Sequence, residues 1–211
     1  MSAAEPALRR TQEQRRNEAE RRLVQAAAEL VGEIGPARVT LAGVGERAGY
    51  SRGLATHHFG SKGALMQRLV DAVTEQFRAA ILDGSASHSA KDEGLGLIGT
   101  YFEVLADLQP VNRARLVLWA DAVTTDSPDV RPAMIAADRE FRTAITTTLQ
   151  RGLAAGEFDA PMDPHGLAAV IVGMLRGVAL QALLDDQVDL QACRAEIEQL
   201  LTTRLQKEPT R

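Results

Sequence analysis

Cysteine is nearly absent from this sequence. Cys193 stands alone among 211 residues, which excludes an intrachain disulfide and any multi-cysteine metal site. Aromatic residues make up only 4%, whereas alanine and leucine are plentiful, a balance that favours helices over sheets. No apolar run reaches the ~18–20 residues a bilayer-spanning helix requires, so no membrane partner is expected. The start of the chain is rich in arginine without an apolar stretch behind it, unlike a secretory signal, and the expected location is the cytoplasm. Catalytic signatures are missing too. No glycine-rich phosphate loop follows a strand, no His-Glu-x-x-His appears, and the four histidines are scattered outside any triad-like grouping. Asp185-Asp186, the obvious paired acids, sit at a helix end where solvation accounts for them. The chain reads as a non-enzyme without cofactor or metal.

What is present is an ordinary globular composition, 45% hydrophobic and 25% charged, with room for one large core or two modest domains. The net charge of −4 is unevenly placed. Met1 to Lys62 holds ten Lys/Arg against seven Asp/Glu, and the rest of the chain holds fourteen against twenty-one. Basic charge at one end and acidic charge elsewhere suit a protein that meets a polyanion through that end only.

The stretch Thr40 to Lys62, TLAGVGERAGYSRGLATHHFGSK, has the pattern of two short helices around a tight turn, with a third starting at once. Thr40 N-caps a helix whose apolar residues Leu41, Val44 and Ala48 fall at i, i+3 and i+7. Gly49 ends it through the left-handed conformation that glycine tolerates. Ser51 caps the second helix and leaves Arg52, Gly53, Leu54, Thr56 and His57 near its N-terminal end. In a helix-turn-helix that end enters the major groove of DNA. Small residues at Gly45 and Ala48 let the two helices cross closely. Arg52 is the candidate for bidentate bonds to guanine, with a phosphate clamp or an ion pair to Glu46 as its alternatives. Leu54 and Thr56 are candidates for thymine methyls or phosphates. His57 suits a phosphate contact and His58 a packing role. The two adjacent histidines point about 100° apart on a helix and make no metal site. Lys62, in the first turn of the next helix, suits a phosphate contact.

Val44-Gly45, Ala48-Gly49, Tyr50, Ser51, then Thr56-His57-His58-Phe59 and Ser61-Lys62 resemble the motif of the TetR family of transcriptional regulators. Ala55 and Thr56 depart from it, standing where a larger aliphatic residue and a tyrosine are usual. The motif covers roughly the first third of the chain. The resemblance implies an all-α protein, with a three-helix DNA-binding head followed by a helical bundle that binds an effector. It also implies a homodimer in which the last two helices pair with their copies.

Elsewhere, residues 1–12 are polar, and a helix from about Glu13 to Gly32 buries Leu23, Ala26, Ala27, Leu30, Val31 and Ile34. Arg9 and Arg10 of the preceding arm are candidates for phosphate contact, and the helical arginines either share that role or form a solvated face. Ser61 caps a helix with a stripe of Leu65, Leu69, Val73, Phe77 and Ile81. The small residues from Gly84 to Ser89 mark a loop, so the expected domains are 1–84, with the connecting helix, and 85–211. Five further helices follow, over Gly94–Leu108, Arg113–Thr124, Val130–Ala155, Pro164–Leu184 and Leu190–Leu205, for a total of about nine. Gly173 and Gly177 mark a close approach by another helix. Arg176, amid an apolar run, needs a partner; Asp121 and Glu103 are the expected acids, with a ligand's polar group as the alternative.

The candidate effector pocket is lined by Tyr101, Phe102, Leu105, Leu116, Trp119, Met134, Phe141, Met174, Arg176 and Gln181, since cavities between bundle helices are common ligand sites. Sparse aromatics argue against a cage for planar cations and for a mainly apolar effector. The resulting reading is a ligand-responsive repressor acting as a homodimer on a palindromic operator in double-stranded DNA. The competing reading is a helical protein-interaction module that binds DNA nonspecifically and senses no small molecule.

Overall fold

Local signals account for most helix ends. Thr11 accepts from the Gln14 amide at 3.2 Å while the Gln14 side chain accepts from the Thr11 amide at 2.9 Å. This reciprocal capping box starts α1 at Gln12 and carries it to Ile34. Gly35 then turns the chain at φ 75° into a single 3-10 turn, Pro36–Arg38. The helices that follow are α2 (Leu41–Arg47), α3 (Arg52–Phe59), α4 (Lys62–Ile81), α5 (Ala90–Ala106), α6 (Pro110–Thr124), α7 (Arg131–Ala154), α8 (Pro164–Leu184) and α9 (Leu190–Leu205). The computed structural model describes residues 11–81, 89–107, 109–158 and 162–205, and among these there are nine α-helices and no strand. Arg9, Arg10 and the expected boundary at residues 84–85 lie outside the described residues.

Two hydrophobic cores form. The first joins α1, α2, α3 and the first half of α4, through Leu23, Val31, Val44, Ala55, Leu65 and Leu69, to Ala114, Leu118 and Ala122 of α6 and Met134 of α7. The second gathers Phe77 and Ile81 at the far end of α4 with α5, Leu116 of α6, and residues of α7, α8 and α9. The stripe expected on α4 is thus buried along its whole length, but it is split between two cores. Two further helices bridge them: α6, which lies along α1, and α7, which gives Met134 to the first core and Phe141 to the second.

The most apolar helix, α8, revises one expectation. Pro164–Leu184 is long and apolar enough to cross a membrane by length and composition, although Arg176 interrupts it. One face, with Ala168, Ile171, Val172, Leu175, Arg176 and Ala179, is buried in the bundle. On the other face Val170 is 56% exposed and Leu184 89% exposed. A Cβ at Gly173 or Gly177 would meet nothing within 4 Å among the described residues beyond its own helix, so none of the described helices makes the close approach expected at these glycines.

Candidate nucleic-acid interface and effector site

The turn between α2 and α3 is built as the sequence predicts, with one exception. The Thr40 hydroxyl accepts from the Gly43 amide at 3.1 Å, and Gly49 sits at φ 77°. A Cβ on Gly45 would lie 2.6 Å from the Ser51 carbonyl oxygen, so the helix crossing requires glycine there. Ser51 occupies the N-cap of α3, but its side chain makes no capping bond. Its carbonyl instead accepts from the Leu54 amide at 3.0 Å. Ala55 faces the core at 0% exposure, and a small residue here seats α3 against α2 and α4.

With Ala55 inward, Arg52, Gly53, Thr56 and His57 share one exposed face, while Leu54 is half-buried. Arg52 forms an ion pair with Glu46 across the turn. An exposed pair of this kind contributes little to stability, so the guanidinium is easily given up to another acceptor. His58 turns inward against Glu20 at 3.1 Å and stacks edge-on with Phe59. Glu20 also accepts from Arg68 at 2.6 Å, so α1, α3 and α4 are tied at one carboxylate. The Arg68 hydrogen bond, with His58 second, holds the Glu20 carboxyl below its ordinary value. Lys62 departs from a purely phosphate-facing role: its ammonium donates to the Ala37 carbonyl at 2.7 Å and ties α4 to the 3-10 turn. On α1, Arg21 and Arg22 both bond Glu18.

In the body, the expected pocket residues fall into three places. Tyr101, Phe102, Leu105, Leu116 and Phe141 are buried in the second core, and Met174 packs at its edge. Trp119 and Met134 belong to the first core and border an open surface groove with Arg131, Asp138 and Arg142. Gln181 is exposed, away from both. The apolar void between α5, α7 and α9, lined by Leu97, Ile98, Leu149, Phe158 and Leu201, has a volume of about 30 Å³. At about 10–15 Å³ for each water, that is room for two or three waters and not for a drug-sized ligand.

Arg176 pairs with Asp138 at 3.1 Å, not with Asp121 or Glu103. The reason is packing: α8 lies against α7, which presents Asp138, whereas Asp121 accepts from Thr125 at 2.9 Å and Glu103 lies 3.9 Å from Arg194. Asp138 also binds Arg142. The Arg176 guanidinium lies 4.8 Å from the centre of the Trp119 ring.

Neither Arg115 nor Asp138 is singled out by the sequence reading, and Phe77 enters it only as part of the α4 stripe. Arg115 is only 5% exposed, and its guanidinium lies 3.8 Å from the centre of the Phe77 ring and 5.9 Å from that of Tyr101. Burial pushes its pKa down to about 10, with Arg176 adding to the fall and the Tyr101 phenol opposing it. Burial likewise lowers Arg176, against the pull of Tyr101 and Asp138. The available signal was a charge set among Ala114, Leu116 and Leu118, the same anomaly that drew attention to Arg176.

Comparison with known proteins agrees with this geometry. Residues 23–69 match the bacterial regulatory proteins of the tetR family, and residues 95–206 match the C-terminal region of BetI-type transcriptional repressors. The HTH-type transcriptional regulator BetI of Escherichia coli K12 is 26% identical over 163 residues, covering 76% of this chain and 82% of that protein. A TetR transcriptional regulator from Chloroflexus aurantiacus superposes with a TM-score of 0.80 at 23% identity, over 90% of this chain and 98% of its own. A transcriptional regulator from Saccharomonospora viridis, solved in complex with choline, gives a TM-score of 0.75 at 19% identity, over 91% of this chain and 100% of its own.

Proposed function

We propose that this chain, which belongs to the TetR family of bacterial transcriptional regulators, represses transcription in the cytoplasm as a homodimer that seats two copies of α3 in successive major grooves of a palindromic operator. It is a DNA-binding regulator that answers to a small-molecule effector, and not an enzyme. That membership sets aside the interaction-module reading.

The observation that carries the operator reading is the exposed face of α3. Arg52, Gly53, Thr56 and His57 project together from a helix fixed by Ala55, Gly45 and the Glu20 tie. In the proposed complex Arg52 leaves Glu46 for a guanine edge, and Thr56 and Leu54 meet thymine methyls or phosphates. Thr40, Ser51 and His57 meet phosphates, and Ser51 has a hydroxyl free of any capping bond. Lys62 adds its charge at the start of α4. The dimer reading is supported by the open face of α8, with Val170, Gly173, Gly177 and Leu184, and by Leu200 of α9, which is 57% exposed. Two helices per subunit with uncovered apolar residues suit a four-helix bundle across a two-fold axis.

The effector reading places a mainly apolar molecule in the body near Tyr101, Phe102, Leu105, Leu116, Phe141, Met174 and Arg176. Because the interior is closely packed, the ligand opens space as it enters, and α4, α6 and α7 carry the displacement to the head because all three belong to both cores. Population shift then separates the paired heads from their half-sites.

Footprinting of the full chain on the DNA flanking its own gene tests the operator reading. A protected palindrome with half-sites one helical turn apart, lost at high salt, is expected. Uniform, sequence-independent coating of the DNA would overturn it.

A further inference from the structure

The interior of the body holds more positive charge than its acids balance. Asp138 is shared by Arg176 and by Arg142 at the rim. Arg115 has no carboxylate partner among the described residues; its guanidinium rests on the faces of Phe77 and Tyr101. Four buried polar atoms around this point have no hydrogen-bond partner of good geometry among the described residues: Nε of Arg115, Nε and Nη1 of Arg176, and the Tyr101 hydroxyl, which lies near enough to Arg115 to act on its charge. A buried guanidinium with unmet donors is costly, and stacking on rings offsets only part of that cost. The same donors suit an incoming anion.

We propose that Arg115, supported by Tyr101 and Arg176, receives the anionic end of the effector, and that this end is a carboxylate on an aliphatic chain. The inference rests on the effector reading above and gives that effector a chemical class. Arg115 lines a narrow cleft with Val104, Leu105, Asn112, Leu116 and Leu183, and with Asp107 and Arg113 at its exposed end; its void of about 10 Å³ leaves space for one water at most. Val104, Leu105, Leu116 and Leu183 form the apolar part of the wall, against which a hydrocarbon tail fits once the leucines part, while the Asp107 carboxylate stays at the exposed end. A planar carboxylate matches the guanidinium fork in two parallel hydrogen bonds. The opposite class fits poorly. A quaternary ammonium such as choline needs bare aromatic faces, and here Phe77, Tyr101 and Trp119 are already faced by the chain's own arginines. A cation would also add to uncompensated positive charge.

The site has a direct route to the head. Phe77 belongs to α4, so a carboxylate that draws Arg115 off the Phe77 ring acts on the helix that carries α3. Arg115 itself sits on α6 beside Ala114, which is packed in the first core.

The test uses the full chain with decanoate, decanol and decyltrimethylammonium below their micelle concentrations, and choline. Trp119 fluorescence, melting temperature and operator affinity are the readouts. Decanoate is expected to raise the melting temperature, shift Trp119 emission through Arg176 and weaken operator binding, with the other three giving smaller effects. Arg115→Met should fold with an unchanged or higher melting temperature, because it removes an uncompensated buried charge, and should weaken decanoate binding on the order of tenfold or more. Arg115→Lys, which keeps the charge, should retain part of the response.

A stronger response to decyltrimethylammonium or choline overturns the anion assignment and leaves the effector reading intact. An Arg115→Met protein that melts lower yet answers decanoate normally makes Arg115 a packing residue and also overturns it. Silence toward all four probes overturns it as well, while specific operator binding by the same preparation still upholds the regulator.

Discussion

Arg113 of α6 donates its Nε hydrogen to the backbone carbonyl of Gly32 on α1 at 3.0 Å. Its aliphatic stem passes so close that a Cβ on Gly32 would lie 3.2 Å from Arg113 Cδ. The bond satisfies one of the carbonyls left open at the end of α1 and joins a helix of the body to the first helix of the head.

Arg113→Ala should therefore lower stability by about 0.5–1.5 kcal/mol, the usual net worth of one such bond. Urea unfolding measures this. The operator affinity of Arg113→Ala should also fall, because α1 supports α2 and α3. A variant as stable as the parent that binds DNA equally well would show that the joint plays no part in setting the head.

Arg52→Ala should cost about 1–3 kcal/mol of affinity for the cognate site and blur preference at one base pair. Stability should change by less than about 0.5 kcal/mol, since the lost ion pair with Glu46 is exposed. Lys62→Ala should weaken binding to every sequence alike and reduce the salt slope by roughly one unit. A panel of operators with single base-pair changes, titrated at several salt concentrations, separates the two patterns. If Arg52→Ala left base preference untouched and changed only the salt slope, the assigned roles would be reversed.

Gly177→Leu should leave the isolated subunit folded, because its side chain enters open space. In the dimer the same side chain fills the interface, and overpacking of this kind costs about 1–3 kcal/mol. Sedimentation should show a shift toward monomer together with loss of operator binding. An intact dimer would remove this face of α8 from the subunit contact.

Glu20 supplies a pH dependence. Its folded pKa is held below the ordinary 4.5, chiefly by Arg68 and then by His58. A carboxyl depressed on folding contributes stability that is fully present above its unfolded pKa and is lost as pH falls through the folded value. Melting temperature should thus decline below about pH 4.5, and Glu20→Gln should flatten that decline while lowering the melting temperature at neutral pH. Parallel pH profiles for the two proteins would exclude Glu20 as a contributor.

The helices were legible in the sequence because their signals are local. Thr40, Gly49 and Asp163 act within a few residues of themselves; Asp163, for example, accepts from the His165 and Gly166 amides at 3.0 Å. The exposed face of α3 was legible for the same reason. The interior of the body was not. Which acid meets Arg176 depends on how α8 packs against α7, and nothing near position 176 records that Asp138 lies opposite. Arg115 was hidden by a different cause. Since α6 is buried on two sides, its apolar residues do not form a single stripe, so the charge set among Ala114, Leu116 and Leu118 is a weaker signal than Arg176 in the long apolar run of α8.

The shared residues on α6 also limit how this regulator can be taken apart. Ala114, Leu118 and Ala122 follow one another at i, i+4 and i+8 and complete the core beneath α1. A fragment ended after α4 would leave that core uncovered, and a head transplanted from another regulator would need a matching surface on α6. New operator specificity is therefore more readily gained by substitutions on the outer face of α3 than by exchange of the N-terminal segment. A hybrid joined at the end of α4 would have to bring its own α6.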